Sequence, residues 1–189
     1  MHKSFLFTAT AMGLAMMIGC TPNDQANKDS VMNGVGGNEV SAAGVDAQVA
    51  SKPSMDGAAN LQTATDFLAK NKSVSGVKTT ASGLQYAVIT SGAASGPMPT
   101  ANSVVQVNYE GKLLDGTVFD SSFARGQAAE FPVGQLIPAW VEALQMMRPG
   151  DEWTIWVPPS IGYGEAGAGA TIPPNALLVF RMRLEKIVR

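Results

Sequence analysis

The chemistry open to this 189-residue chain is limited by the residue types that it lacks. Its single histidine is His2 and its single cysteine is Cys20, both close to the N-terminus. The rest of the chain therefore cannot assemble the usual zinc site, a Cys-His pair or a Ser-His-Asp triad. We expect any catalysis to proceed without a metal, a cofactor or a conventional nucleophile–base pair.

The candidates that remain are aromatic and acidic side chains in the second half of the chain. Trp140, on a predicted helix that faces a sheet, is by itself more typical of core packing than of a binding site. Tyr163 stands in a glycine-rich segment and can be a turn residue. Asp120 precedes two serines, where it can cap a loop or pair with Arg125. Taken alone, these residues indicate only an aromatic-lined domain.

The elements that must position these side chains are short strands divided by turns. Residues 104–113 alternate between apolar or aromatic and polar side chains, which is typical of a half-buried strand. Asp115 and Gly116 follow as a hairpin signal, because glycine adopts a positive φ without penalty. Further strands are predicted at residues 83–90, 152–157 and 178–184, with a Gly/Pro-rich loop at 158–175.

One helix is predicted inside this strand-rich region. It opens at Ile137-Pro138, with proline at a first-turn position, runs through Met147 and ends at Pro149-Gly150. Strands around a single short helix predict an α+β fold, in which a curved antiparallel β-sheet wraps around that helix.

Residues 1–19 are predicted to be a secretory signal peptide. The apolar run at 5–18 follows Lys3 and is short for a transmembrane helix. It ends at Gly19-Cys20, which resembles a bacterial lipobox with Met17 in place of the usual leucine. Lipidation of Cys20 would hold the protein at a bilayer, and Thr21 after the cysteine favours the outer membrane. An ordinary signal peptide with a chance cysteine, or an uncleaved anchor, is the alternative.

Residues 20–57 are predicted to be a lipidated, flexible tether. After Cys20 the segment is rich in Asn, Asp, Ser, Gly and Ala and has no aromatic residue, so it lacks the apolar surface needed to fold. Residues 58–75 are predicted to hold a short helix and a linker. The helix has its apolar residues at helical spacing: Leu61, Ala64, Phe67 and Leu68.

The charge pattern gives no sign of a nucleic-acid-binding surface. Thirteen Lys and Arg residues oppose fifteen Asp and Glu residues, for a net charge of −2, and the signs are interspersed. Nucleic-acid-binding proteins instead carry clustered basic residues. We therefore expect no nucleic-acid partner.

Seven short motifs follow one another along the second half of the chain. They are VNYEG (107–111), DGTVFDSS (115–122), FPVGQLIPAW (131–140), MRPG (147–150), IGYG (161–164), IPPN (172–175) and LVF (178–180). Together with residues 76–86 before them, they resemble the FKBP family of peptidyl-prolyl isomerases, in particular its bacterial envelope group of the macrophage infectivity potentiator type. The resemblance implies an FKBP-type isomerase domain at residues 76–189.

The resemblance also implies a shallow apolar pocket that binds a prolyl peptide. The catalytic residues would be Tyr109, Asp120 and Tyr163, with the Tyr163 hydroxyl and the Ile137 N–H binding peptide carbonyls. The substrate-binding residues would form the floor and walls of the pocket: Phe119, Phe131, Leu136, Ile137, Trp140, Ile172 and Phe180.

The function that the resemblance implies is the acceleration of X–Pro bond rotation in envelope or periplasmic client proteins, with rapamycin-type macrolides as further ligands. A module that binds proline segments or unfolded chains with little turnover is the alternative. An inert scaffold is disfavoured, because such a relative would be expected to lose Trp140, Tyr163 or Asp120.

Some positions depart from the pattern of the family. Ala129 stands where many members carry an aromatic residue, so we expect that side of the pocket to be more open. Ala168 replaces a larger side chain of some members, Leu136 replaces the common valine and Ala139 the common glycine. Relatives of the macrophage infectivity potentiator type often carry a long helical dimerisation arm. Here a short helix and a tether stand in its place, so we expect a monomer.

Overall fold

A computed structural model of the protein describes residues 54–189. Within this part of the chain there are seven strands and three α-helices. In chain order they are α1 (Gly57–Asn71), β1 (Val77–Thr79), β2 (Gln85–Thr90), β3 (Val104–Leu113), β4 (Val118–Ser121), α2 (Ser122–Arg125), β5 (Ala129–Pro132), α3 (Pro138–Met146), β6 (Glu152–Val157) and β7 (Leu178–Ile187). The predicted signal peptide, Cys20 and residues 21–53 of the predicted tether lie outside the described residues.

All seven strands belong to one antiparallel sheet in the order β1-β2-β6-β7-β3-β4, with β5 also paired to β3. The central strand β3 pairs with β7 along one edge. Along its other edge it pairs with two short strands, β5 and β4. β5 lies beside residues 104–107 and β4 beside residues 110–112. Burial alternates along the whole of β3, so the predicted strand and its two faces are confirmed.

The main core forms between this sheet and α3. Pro138 is the first residue of α3. An N–H at this position would have no acceptor within the helix, so the missing N–H of proline costs no helical hydrogen bond. The helix buries Trp140 and Leu144 in the same cluster as Met182 of β7 and other sheet residues. An antiparallel sheet around a short helix confirms the predicted α+β class. The helix ends at Met146, one residue before the predicted Met147.

Helix α1 covers the opposite face of the sheet. The Asp56 side chain caps it, accepting hydrogen bonds from the N–H groups of the second and third helical residues at 3.0 and 3.3 Å. Ala64, Leu177 and Val179 form a second buried cluster, against which further apolar side chains pack: Phe67, Leu68, Leu114 and Trp156. Val179 of β7 is therefore buried beneath α1.

Several short elements are not evident from the sequence pattern. They are β1, β4, α2 and β5, together with 3₁₀ turns at Val133–Gln135, Pro159–Ile161 and Gly164–Ala166. The predicted single helix of the strand-rich region is thus accompanied by the four-residue α2. None of the helices within residues 54–189 has the length and apolar composition needed to cross a membrane.

Candidate functional site

An apolar cavity of about 170 Å³ opens at one end of the sheet, beside the start of α3. We call it the aromatic cavity. Nine residues from strands, helix and loops line it: Tyr109, Phe119, Asp120, Phe131, Leu136, Ile137, Trp140, Tyr163 and Phe180. All nine are site residues predicted from the sequence. The tenth, Ile172, does not line the cavity; its side chain is 7% exposed and belongs to the main core.

Trp140 is held at the centre of an aromatic cluster by edge-on contacts. Its ring centroid lies 5.2 Å from that of Tyr109, 5.9 Å from that of Phe131 and 5.3 Å from that of Phe180, and each pair is nearly perpendicular. Edge-to-face pairs are the arrangement that aromatic rings prefer. Because the partners come from β3, β5 and β7, the sheet fixes the indole in one orientation.

Gly111 makes room for the rings on the wall of the cavity. A Cβ atom built at this position would stand 2.6 Å from the Phe119 ring and 2.7 Å from the Phe180 ring. These two rings are themselves in edge-to-face contact at 5.6 Å. The glycine of the VNYEG motif is therefore required because two aromatic side chains pass directly over the backbone of β3.

Polar groups close one side of the cavity rim. The Tyr109 hydroxyl donates to one oxygen of the Asp120 carboxylate, and the Arg125 guanidinium donates to the other. Arg125 also donates to the Tyr109 hydroxyl oxygen at 3.0 Å. Arg125, which the sequence indicated only as an alternative partner of Asp120, thus joins both groups into a closed triangle.

The triangle sets the charge of its members. Burial raises the pKa of Asp120, but the hydrogen bonds from Tyr109 and Arg125 outweigh burial and hold this pKa below its ordinary value. Burial and the hydrogen bond to Asp120 raise the pKa of Tyr109, partly opposed by Arg125. At neutral pH the rim therefore carries an ionised carboxylate, a neutral phenol and a guanidinium cation.

The Asp-Ser-Ser sequence positions this triangle. Ser121 caps α2 by accepting from the Ala124 N–H at 3.1 Å, and α2 ends one turn later at Gly126 in the left-handed conformation. Ser122 is fully buried and its Oγ accepts from the Tyr109 N–H at 2.8 Å. The two serines thus bring Arg125 back towards Asp120. A serine cap followed by a glycine stop is the sequence signal that could have revealed this short helix.

Two further hydrogen-bond donors belong to residues that line the cavity. Tyr163 is 39% exposed, and among residues 54–189 its hydroxyl has no hydrogen-bond partner. The Ile137 N–H precedes α3 and has no acceptor in the same part of the chain. Both donors are therefore available to carbonyl groups of a bound molecule. No group of three His, Cys, Asp or Glu side chains that could hold a metal is found in the described part.

A second, more polar cavity of about 360 Å³ lies beside the start of β5. Arg125 and Ala129 line it, together with other residues of β3 and of the segment before β5: Gln106, Gln127, Ala128 and Glu130. Arg125 therefore lines this second cavity and also binds Asp120 and Tyr109, which line the aromatic cavity. Ala129 lines this second cavity and not the aromatic cavity.

Two families match the chain. Residues 96–185 match the family described as "FKBP-type peptidyl-prolyl cis-trans isomerase", and residues 10–88 match "Domain amino terminal to FKBP-type peptidyl-prolyl isomerase". The second match includes α1 and extends into residues that the structure does not describe.

Individual relatives agree with these matches. The chain is 51% identical to "Peptidyl-prolyl cis-trans isomerase Mip" of Coxiella burnetii over 66% of this chain and 54% of that protein. It is 45% identical to "Outer membrane protein MIP" of Legionella longbeachae over 62% and 50% of the two chains. A solved peptidyl-prolyl cis-trans isomerase of Pseudomonas syringae is 37% identical, with a TM-score of 0.64 over 70% of this chain and 96% of that one. The chain spans about half the length of these two curated relatives.

Proposed function

Because the chain belongs to the FKBP-type peptidyl-prolyl cis-trans isomerase family, we propose that it accelerates rotation about X–Pro peptide bonds. The observation that carries this proposal is the aromatic cavity, an apolar recess floored by Trp140 with hydrogen-bond donors at its mouth. Such a recess suits a proline ring, and the donors suit the carbonyls beside it. Catalysis needs no covalent step.

The barrier to X–Pro rotation, about 18–20 kcal/mol, arises because the amide loses its resonance as it twists. The twisted amide has less charge separation than the planar one, so a dry apolar cavity stabilises the twisted form relative to both planar isomers. Catalysis follows from this preference for the transition state over the ground states. Trp140 and the rings around it supply the apolar surroundings and orient the proline ring.

The donors and the rim then hold the peptide on either side of the rotating bond. We propose that Tyr163 and the Ile137 N–H bind carbonyl oxygens, which fixes the chain in a turn while the amide rotates. Tyr109 and Asp120 would contact the peptide at the rim. Phe119, Phe131, Leu136 and Phe180 would form the walls. Ile172, expected from the sequence to bind substrate, is buried in the core and does not line the cavity.

The proposed domain runs from residue 76 to residue 189, preceded by the helix and linker at 58–75. We propose that residues 1–19 are a cleaved signal peptide, that Cys20 is lipidated and that residues 20–57 tether the domain. Together these features would place the protein at a cell-envelope membrane facing the periplasm. The relative named as an outer membrane protein supports the outer membrane. A Cys20→Ser variant should then appear in the soluble fraction, and its retention on membranes with an uncleaved signal would contradict the anchor.

The natural partners would be proline-containing client proteins of the envelope, and rapamycin-type macrolides should compete for the aromatic cavity. We also propose that the protein is a monomer, because the short α1 stands in place of a long dimerisation arm. Sedimentation of the purified chain tests this directly. A concentration-dependent dimer would overturn it.

A protease-coupled assay on a short X–Pro peptide tests the activity. The wild type should accelerate the cis-to-trans step, while Asp120→Ala and Tyr163→Phe should lower kcat/KM. Binding of the peptide or a macrolide without acceleration would instead favour the alternative, a proline-segment or unfolded-chain binding module. If the protein neither binds these molecules nor accelerates the rotation, the aromatic cavity is not the substrate-binding pocket.

A further inference from the structure

We infer that Asn60 and Asn175 are positioning residues that latch the loop carrying Tyr163 onto the first turn of α1. We call residues 163–175 the rim loop, because it runs from Tyr163 at the mouth of the aromatic cavity to Asn175 beside α1. The inference rests on the proposed isomerase site, and it gives α1 a role in that site although α1 lies on the opposite face of the sheet.

The Asn60 amide makes the first contact of this latch. Its side chain is almost completely buried, and its Nδ2 donates to the Pro174 carbonyl at 2.8 Å, across 114 residues of sequence. The same Nδ2 donates to the Ser54 carbonyl at 2.6 Å, and its Oδ1 accepts from the Ser54 N–H at 3.1 Å. One amide thus joins the helix, the chain leading into the helix, and the rim loop.

Asn175 makes the reciprocal contact. Its Nδ2 donates to the Gly57 carbonyl at 3.1 Å, and its own N–H donates to the Gly164 carbonyl at 2.8 Å. Gly164 directly follows Tyr163 in the chain. The first turn of α1 is therefore two hydrogen bonds away from the residue next to Tyr163.

The local backbone fits this arrangement closely. Asn175 has φ +53°, a left-handed conformation that asparagine tolerates better than most residues. Gly57 lies against the loop so tightly that a Cβ atom there would stand 3.0 Å from the Pro174 Cβ. The sequence places these small or permissive residues where the helix and the loop approach each other.

The rim loop contains backbone that is costly to order. Three of its residues, Gly164, Gly167 and Gly169, are glycines with positive φ, and glycine has the largest backbone freedom to lose on folding. Inside the loop, Ala168 and Ile172 exchange backbone hydrogen bonds of 2.9 and 3.1 Å, and the Gly164 carbonyl accepts from the N–H groups of Gly167 at 3.3 Å and Asn175 at 2.8 Å. The asparagine bonds to and from α1 add to these backbone hydrogen bonds and to the buried Ile172 side chain in holding the loop that carries Tyr163.

The other end of α1 provides a matched control. There the Asn71 Nδ2 donates to the Gln85 Oε1 at 2.8 Å, and the Gln85 Nε2 donates to the Leu68 carbonyl at 2.8 Å. Asn71 is buried to about the same degree as Asn60, but its bond ties the helix to β2 and not to the rim loop. Truncation at either asparagine should lower stability similarly, and only truncation at Asn60 should loosen the rim loop.

The test compares Asn60→Ala, Asn175→Gly and Asn71→Ala in the full chain. Amide hydrogen exchange in residues 164–176 is the first readout, because it does not depend on turnover. Exchange should accelerate in the first two variants and stay at the wild-type rate in the third. Asn175→Gly keeps the positive φ while removing the side-chain bond, so it serves where Asn60→Ala lowers the folded fraction.

The second readout is kinetic. In Asn60→Ala and Asn175→Gly, kcat on an X–Pro peptide should fall about three- to tenfold with little change in KM, since the floor of the cavity is untouched. Unchanged exchange in the rim loop, or an equal effect of Asn71→Ala, would overturn the inference. A wild type without isomerase activity would instead contradict the proposed function, and the exchange data would still decide whether the latch exists.

Discussion

The Tyr109 hydroxyl donates a hydrogen bond to the Asp120 carboxylate across the paired strands β3 and β4. Gly111 is the residue directly opposite Asp120, so Tyr109 reaches the carboxylate diagonally from two positions away. The bond joins the aromatic wall of the cavity to its charged rim. A change in one of the two side chains should therefore be detectable at the other.

Replacement of Asp120 by asparagine should lower the pKa of Tyr109. Burial and the contact with Asp120 both raise this pKa, and Arg125 lowers it. In the variant, burial still raises the pKa of Tyr109 and Arg125 still lowers it, but the carboxylate no longer raises it. Titration of the tyrosine signals by NMR measures the shift, with Tyr109→Phe to assign it among the three tyrosines. Asp115→Asn, in the exposed β3–β4 turn, is the control and should leave the pKa of Tyr109 unchanged.

Asp120 should stabilise the fold only above its ordinary acid pKa. Its pKa is lowered in the folded protein, so its contribution to the free energy of unfolding is present above the unfolded value near 3.8 and is lost as the pH falls through the folded value. At neutral pH the wild type should exceed Asp120→Asn by no more than about 1 kcal/mol, since the ion pair is partly exposed. Urea unfolding at several pH values measures the difference. If the stability difference between the wild type and Asp120→Asn increased at acidic pH, the pKa of Asp120 would not be lowered in the folded protein.

The long regular elements could be predicted from the sequence because each depends on its own periodicity. Strand β3 alternates over ten residues, and helix α3 begins at a proline, so both are found from local pattern. Strand β5 has four residues and pairs only with β3, a partner more than twenty positions away. Its existence depends on that pairing, which no local pattern of four residues can predict.

The candidate site likewise has a part that the sequence predicts and a part that depends on tertiary contacts. Nine of the ten predicted residues line the aromatic cavity because the motifs of the family carry them there, and the tenth, Ile172, is buried without lining it. The role of Arg125 depends on the direction that α2 gives it, and the need for Gly111 depends on two rings that arrive from β4 and β7. Such contacts come from tertiary structure, and residue types alone do not specify them.

Gly111→Ala should distort the aromatic cavity. The added methyl group would stand within 2.7 Å of the Phe119 and Phe180 rings, so the rings must move outward. We expect a loss of about 1–3 kcal/mol in stability, as in overpacked cores, and a fall in kcat/KM on an X–Pro peptide. Gly116→Ala is the matched control. It has φ +89° and open space around it, so it should lower stability by about 1 kcal/mol without changing the kinetics of the folded enzyme.

Ligand binding should be reported by Trp140 alone among the three tryptophans. Trp140 lines the aromatic cavity, whereas Trp153 stacks on Tyr86 at 4.5 Å and Trp156 packs in the cluster beneath α1. A prolyl peptide or macrolide should therefore change the fluorescence of the wild type and of Trp156→Phe. Trp140→Phe should lose this change. A response that persisted in Trp140→Phe would place the ligand outside the aromatic cavity.

Helix α1 should contribute to stability through the face that it turns to the sheet. Phe67 packs against the cluster of Ala64, Leu177 and Val179, while Leu61 on the same helix is 47% exposed. Phe67→Ala should lower the free energy of unfolding by about 1–3 kcal/mol, less than the truncation of a fully buried aromatic residue, because the ring is only partly buried. Leu61→Ala should change it by less than about 0.5 kcal/mol. Helical spacing alone does not distinguish the two residues. Thermal or urea unfolding of the two variants therefore tests whether α1 packs on the sheet in solution as it does in the structure. Equal small effects would show that the helix is detached from the sheet.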